Sequence, residues 1–167
     1  MSLPWDLSDP IEPVEPVMVV DLRRCTGCHA CAVACKVEHA VPLGEFRVRV
    51  RWMARPEDGT MAFLPLFDAA TCDYGANRRS VGMQPACVAA CPTAALIFAD
   101  AAEQGGAVDA AIDSGGRTLD RTGDARGDVL YRGLEGWQED KMNAGVALHP
   151  DDEDITYEQG QGQGRGA

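Results

Sequence analysis

The chain has 167 residues, is 46% hydrophobic but only 6% aromatic, and carries a net charge of −11. That length suits one domain plus arms, and the acidity argues against a nucleic-acid partner, whose phosphates require a basic surface. The acidic, Pro-rich first 16 residues lack the basic and apolar regions of a secretory signal, and no apolar run is long enough to span a membrane.

Taken in chain order, Val17-Met18-Val19-Val20 predicts a strand ending at Asp21. Residues from Cys28 to Val37 are Ala- and Val-rich without Gly or Pro, and predict a short helix. From Phe46 to Trp52, apolar residues alternate with Arg47, Arg49 and Arg51, the period of a strand with one buried face and one arginine face. That arginine face reads either as solvated or as a docking patch for an acidic surface or phosphate groups. Pro56-Glu57-Asp58-Gly59 is a turn, and Met61 to Phe67 is a return strand in which Pro65 requires an edge position. Pro85 to Ala90 suits a short helix, Leu96-Ile97-Phe98 a short strand, Ala107 to Ile112 a weak helix, and Val129-Leu130-Tyr131 an edge strand. The Gly- and Gln-rich end from Gln159 to Ala167 has the composition of a disordered segment.

All seven cysteines lie between residues 25 and 91. Their odd number argues against a complete set of internal disulfides, and four within eleven residues do not make the paired knuckles of a zinc site. Cys25, Cys28, Cys31 and Cys35 follow the C-x2-C-x2-C-x3-C spacing of iron–sulfur proteins. In two-cluster ferredoxins the fourth cysteine of that run ligates the other cluster. The second group, Cys72, Cys87 and Cys91 followed by Pro92, would return the exchange. The expected ligands are therefore Cys25, Cys28, Cys31 and Cys91 for a first cluster, a [4Fe-4S]. Cys35, Cys72 and Cys87 remain for a second. His29, inside the first loop, reads as a neighbour of the cluster and not a ligand, and His39 and His149 read as surface residues. The expected fold is α+β: a ferredoxin-like two-cluster domain of pseudo-symmetric β-α-β units, with an inserted β-hairpin and extended N- and C-terminal arms. Its boundaries would be an acidic arm at 1–16, the two-cluster domain at 17–100, an acidic extension returning to the core at 101–131, and a partner-wrapping tail at 132–167.

The stretch DLRRCTGCHACAVACKVEHAVPLGEFRVRV, from Asp21, resembles the opening motif of the iron–sulfur subunits of the dimethyl sulfoxide reductase family of molybdopterin oxidoreductases. TCDYGANRRSVGMQPACVAACPTAALIFAD, from Thr71, resembles the last of that family's four cysteine motifs. The resemblance covers about residues 17–131. It implies an electron-transfer subunit, without substrate chemistry of its own, relaying electrons between a catalytic subunit carrying a molybdenum or tungsten pterin cofactor and an external carrier or further carrier subunit. It also implies that the first cluster faces the catalytic subunit. The alternatives are a free ferredoxin serving several partners and an iron–sulfur sensor module. With no export signal visible, the expected compartment is the cytoplasm, or the periplasm by co-export with a partner.

Two departures from the family matter. The middle two motifs are absent, so the first and last, which share one pair of clusters, are joined directly through the arginine-bearing strand. The last motif also lacks its second cysteine, where this chain has Gly75 in Cys72-Asp73-Tyr74-Gly75. The second cluster is then a [3Fe-4S], or a [4Fe-4S] whose fourth iron is held by Asp73, solvent or a partner; an empty site is the remaining outcome.

Overall fold

A computed structural model describes residues 14–68, 70–119 and 129–143. The elements run β1 (Pro16–Asp21), α1 (Ala30–Glu38), β2 (Val48–Ala54), β3 (Met61–Phe67), α2 (Ala76–Arg79), α3 (Ala86–Ala89), β4 (Leu96–Asp100), α4 (Ala107–Asp113), β5 (Val129–Arg132) and α5 (Gly136–Asn143). β1 is the centre of a three-stranded sheet, antiparallel to β4 and parallel to β5. β2 and β3 form a separate antiparallel hairpin.

β1 is an unbroken apolar run because both of its faces are covered. Met18 and Val20 join the larger core, while Val17 and Val19 face Val108 and Ala111 of α4. Residues 30–38 form a helix whose buried side, Cys31 and Ala32, lies opposite exposed Val33 and Val37. α1 packs against α3, and both are built mainly from Ala, Val and Cys, so their backbones meet over small side chains.

The hairpin departs from the expected two-faced strand. Val48 and Val50 are buried, but Phe46 lies outside β2 and Trp52 is 44% exposed. The face bearing Arg49 and Arg51 also carries Met53 and, on β3, Leu64, both buried. Both faces therefore have cover, because residues after β5 fold onto the hairpin. The Arg55 guanidinium pairs with Glu135 and sits over the Trp137 ring, and the Lys141 ammonium donates to the Ala54 carbonyl. The Tyr131 hydroxyl donates to the Pro65 carbonyl at 2.7 Å. Residues 133–143, expected as part of a tail, are thus packed on the domain. Residues 1–13 of the N-terminal arm, His149 and the Gly- and Gln-rich end lie outside the described residues. Among the described residues no helix is long and apolar enough to cross a membrane.

Candidate metal centre

The loop after β1 is anchored before its first cysteine. Asp21 is buried, and its carboxylate accepts from Arg23 Nε at 3.0 Å and Nη2 at 2.9 Å, with Arg132 3.8 Å away. These bonds, the Arg23 side chain first, hold its carboxyl below the usual range despite burial. Arg23 therefore turns back to the strand end. Two residues then adopt left-handed backbone, Gly27 (φ 69°) and His29 (φ 60°). They coil the chain so that Cys25, Cys28 and Cys31 converge. Gly27 is required twice over, since a Cβ there would stand 2.4 Å from the Phe63 ring of β3.

The seven cysteines divide between two clefts. Cys25, Cys28, Cys31 and Cys91 line one, with Thr26, His29, Thr93, Val50 and Pro65. Cys35, Cys72 and Cys87 line the other, a space of about 330 Å³, with His39, Arg47, Asp73 and Tyr74 among its walls. The two packed helices explain the crossing. Cys31 and Cys35 are one turn apart on α1, and one lines each cleft. Cys87 in α3 and Cys91 just beyond it make the same division in reverse order. The hairpin walls both clefts with one apolar face, Val50 and Pro65 in the first and Val48 and Phe67 in the second, each a cross-strand pair.

Burial pushes the Cys31 thiol up to about 11 and the Cys87 thiol up to about 12. Burial also raises Cys25, Cys35 and Cys72. Each is raised further by other thiols or acids nearby, and Cys31 lies within electrostatic reach of Cys87, so the clefts adjoin. Cys91 is the exception. Burial opposes its ionisation, but hydrogen bonds from Leu96, Thr93 and Ala95 outweigh that and lower it. The Ala95 N–H reaches its sulfur at 3.2 Å.

This donor set fits iron–sulfur ligation better than a single ion. Among the described residues no three Cys, His, Asp or Glu side chains converge as closely as one bound ion requires. The thiols instead line the walls of a cleft, as ligands around a multi-iron cluster must.

The second cleft differs in its acid and its bases. Asp68 accepts from the Ala70 and Cys72 N–H groups, at 2.9 and 2.8 Å, and so delivers Cys72 through a tight turn. Asp73 lines the cleft; its Oδ1 accepts from the Gly75 N–H at 3.0 Å and its Oδ2 lies 3.5 Å from Arg47 Nη2. Arg47 therefore does not share a solvated arginine face with Arg49 and Arg51. It precedes β2, is only 18% exposed, and holds its charge beside Cys35 and Cys72. His39, expected at the surface, lines the same cleft. Its distance of four residues from Cys35 was the available signal, since one helix face carries both. His29 sits at the first cleft but accepts the Trp52 indole N–H at 3.0 Å through Nε2, which suits a cover over the loop and not a ligand.

No protein-family model matches the chain. Over 78 residues it is 33% identical to an iron–sulfur-type partner within tetrathionate reductase of Salmonella typhimurium, a stretch that is 47% of this chain and 28% of that protein. It is 41% identical over 80 residues to the thiosulfate reductase electron transfer subunit PhsB of Salmonella typhi, covering 47% and 38%. It is 42% identical over 79 residues to the electron transport protein HydN of Escherichia coli, covering 47% and 40%. The similar segment is thus about half of this chain, and spans well under half the length of each of these relatives.

Proposed function

We propose that this chain is an electron-transfer subunit that holds two iron–sulfur clusters in a ferredoxin-like domain and serves a catalytic subunit with a molybdenum or tungsten pterin cofactor. The observation that carries the reading is the crossed division of seven thiols, four to one cleft and three to its neighbour. The named relatives, electron-transfer proteins or reductase subunits, support the same role. The clusters, when bound, supply one-electron chemistry.

The protein's part is to hold, insulate and bias. Cys25, Cys28, Cys31 and Cys91 would hold a [4Fe-4S] cluster, and Cys35, Cys72 and Cys87 a second of different ligation. Val48, Val50, Pro65 and Phe67 wall the clefts and keep water from one side of each. N–H donors on the Cys91 sulfur and the Arg47 charge beside the second cleft favour added negative charge, and so raise reduction potential. The exposed Trp52 ring, edge-on to Phe63 at 5.4 Å, lies over the first loop on the side where a partner would approach.

Low-temperature EPR with iron and sulfide counted per chain tests the reading. Two distinct cluster signals and copurification with a larger oxidoreductase are expected. A stable lone monomer with full cluster content would argue for a free carrier instead, and a protein with bound zinc and no sulfide would overturn the reading.

A further inference from the structure

The second cleft contains three thiols, and the missing cysteine position cannot return a fourth. Gly75 has φ 68°, and a Cβ there would lie 2.8 Å from Pro85 Cα and 2.9 Å from Pro85 Cβ. The loop has closed against the start of α3, so no side chain fits at that point. Asp73 lies in the cleft, but both of its oxygens are engaged, one by the Gly75 N–H and the other by Arg47. Moving that carboxylate onto a metal would undo the turn and leave a largely buried guanidinium without its partner, which is costly.

His39 has neither restraint. It follows Cys35 by four residues, ends α1, and lines the cleft beside that thiol. Its side chain is 16% exposed. Among the described residues its ring makes no hydrogen bond, and Nε2 stands 3.9 Å from Asp73 Oδ1, too far for one. A carboxylate beside the ring is the usual companion of a metal-bound imidazole.

We infer that His39 supplies the fourth ligand of the second cluster, a nitrogen joining the thiolates of Cys35, Cys72 and Cys87, with Asp73 beside it to orient the ring. The inference rests on the two-cluster reading above and narrows it to a [4Fe-4S] cluster with one imidazole. A neutral imidazole in place of a thiolate makes the cluster one charge less negative. That favours its reduced form, as histidine ligation does in other iron–sulfur centres.

The test uses the full chain with its clusters assembled anaerobically and its histidines labelled with ¹⁵N or left natural. Pulsed EPR of the reduced protein should show a strongly coupled nitrogen that changes with the label. The coupling should vanish in His39→Ala and in His39→Cys and persist in Asp73→Asn. His39→Ala should give a three-iron signal when oxidised, whereas His39→Cys should retain iron for two cubanes. A wild-type second cluster with no label-sensitive nitrogen, or one whose fourth iron is lost in Asp73→Asn and kept in His39→Ala, would overturn the ligand assignment while leaving two clusters standing. Absence of any iron–sulfur signal in wild type and variants would overturn that assignment and the electron-transfer reading together.

Discussion

The two clefts are built from the same parts, and they differ in what completes them. Each takes thiols from both packed helices and one apolar pair from the hairpin. The first is closed by cysteine alone, and its special features are hydrogen bonds to Cys91 and the aromatic cover of His29 and Trp52. The second lacks a thiol and instead gathers an acid, an arginine and a histidine around three cysteines. One architecture can therefore hold two centres of different charge, because a ligand change affects a cleft wall without disturbing the helix pair that aims the thiols.

The crossing itself gives the largest expected effect. Cys35 belongs to the first motif in sequence but lines the second cleft, and Cys91 is the reverse. Cys35→Ala should abolish the second cluster's EPR signal and spare the first, and Cys91→Ala should do the opposite. If each substitution removed the cluster nearest in sequence, the crossed assignment would be wrong.

Metal removal should expose the next difference. In the folded metal-free chain the thiols of Cys31 and Cys87 stay protonated to about pH 11 and 12, against an ordinary value of 9.0. Their burial as neutral groups contributes stability that is complete below pH 9. It is lost as pH rises through the folded values, on the order of a few kcal/mol in all. Chemical denaturation of the chelated protein should show this alkaline fall. The same linkage makes cluster assembly proton-releasing, hence slower and weaker at acid pH.

Gly27→Val tests what is particular to the first cleft. The left-handed backbone and the 2.4 Å approach to Phe63 should together cost about 2–3 kcal/mol and lower first-cluster occupancy preferentially. A simultaneous Phe63→Ala should recover part of that loss; full additivity in a double-mutant cycle would show that the ring contact is irrelevant.

Asp21→Asn should weaken the anchor of the first loop by about 1 kcal/mol, because Arg23 is mostly exposed. The sign with pH is the ordinary acidic one. The depressed carboxyl stabilises above its unfolded value and loses that contribution as pH falls through the folded one. Equal acid sensitivity in wild type and variant would show that the ion pair contributes nothing. Arg47→Gln is expected to be smallest in stability, yet should lower the second cluster's potential and leave the first unchanged; redox titration followed by EPR separates the two.

Local pattern carried most of the secondary structure. β1, α1, β3 and the short elements around Cys87 and Leu96 were legible because apolar runs, Ala-rich stretches and Pro or Gly boundaries act within a few residues. The hairpin's burial was less so. Alternation placed Val48 and Val50 inside, but Trp52, Met53 and Leu64 depend on what packs from β5 and α5, which are distant in sequence. α5 carried little signal, because its polar sequence Gly136–Asn143 is held by Arg55–Glu135 and Lys141–Ala54 contacts.

Cysteine spacing alone determined that seven thiols form two sets and which set is short by one, because a helical turn separates Cys31 from Cys35 wherever the helix lies. Only the tertiary structure decided what stands in the gap. Pro85, beyond the Gly75 loop and α2, folds back to block any side chain there. The end of α1 turns His39 inward while Arg47 engages Asp73. These are contacts between segments brought together by packing. A spacing rule, which sees distance along the chain, has no access to them.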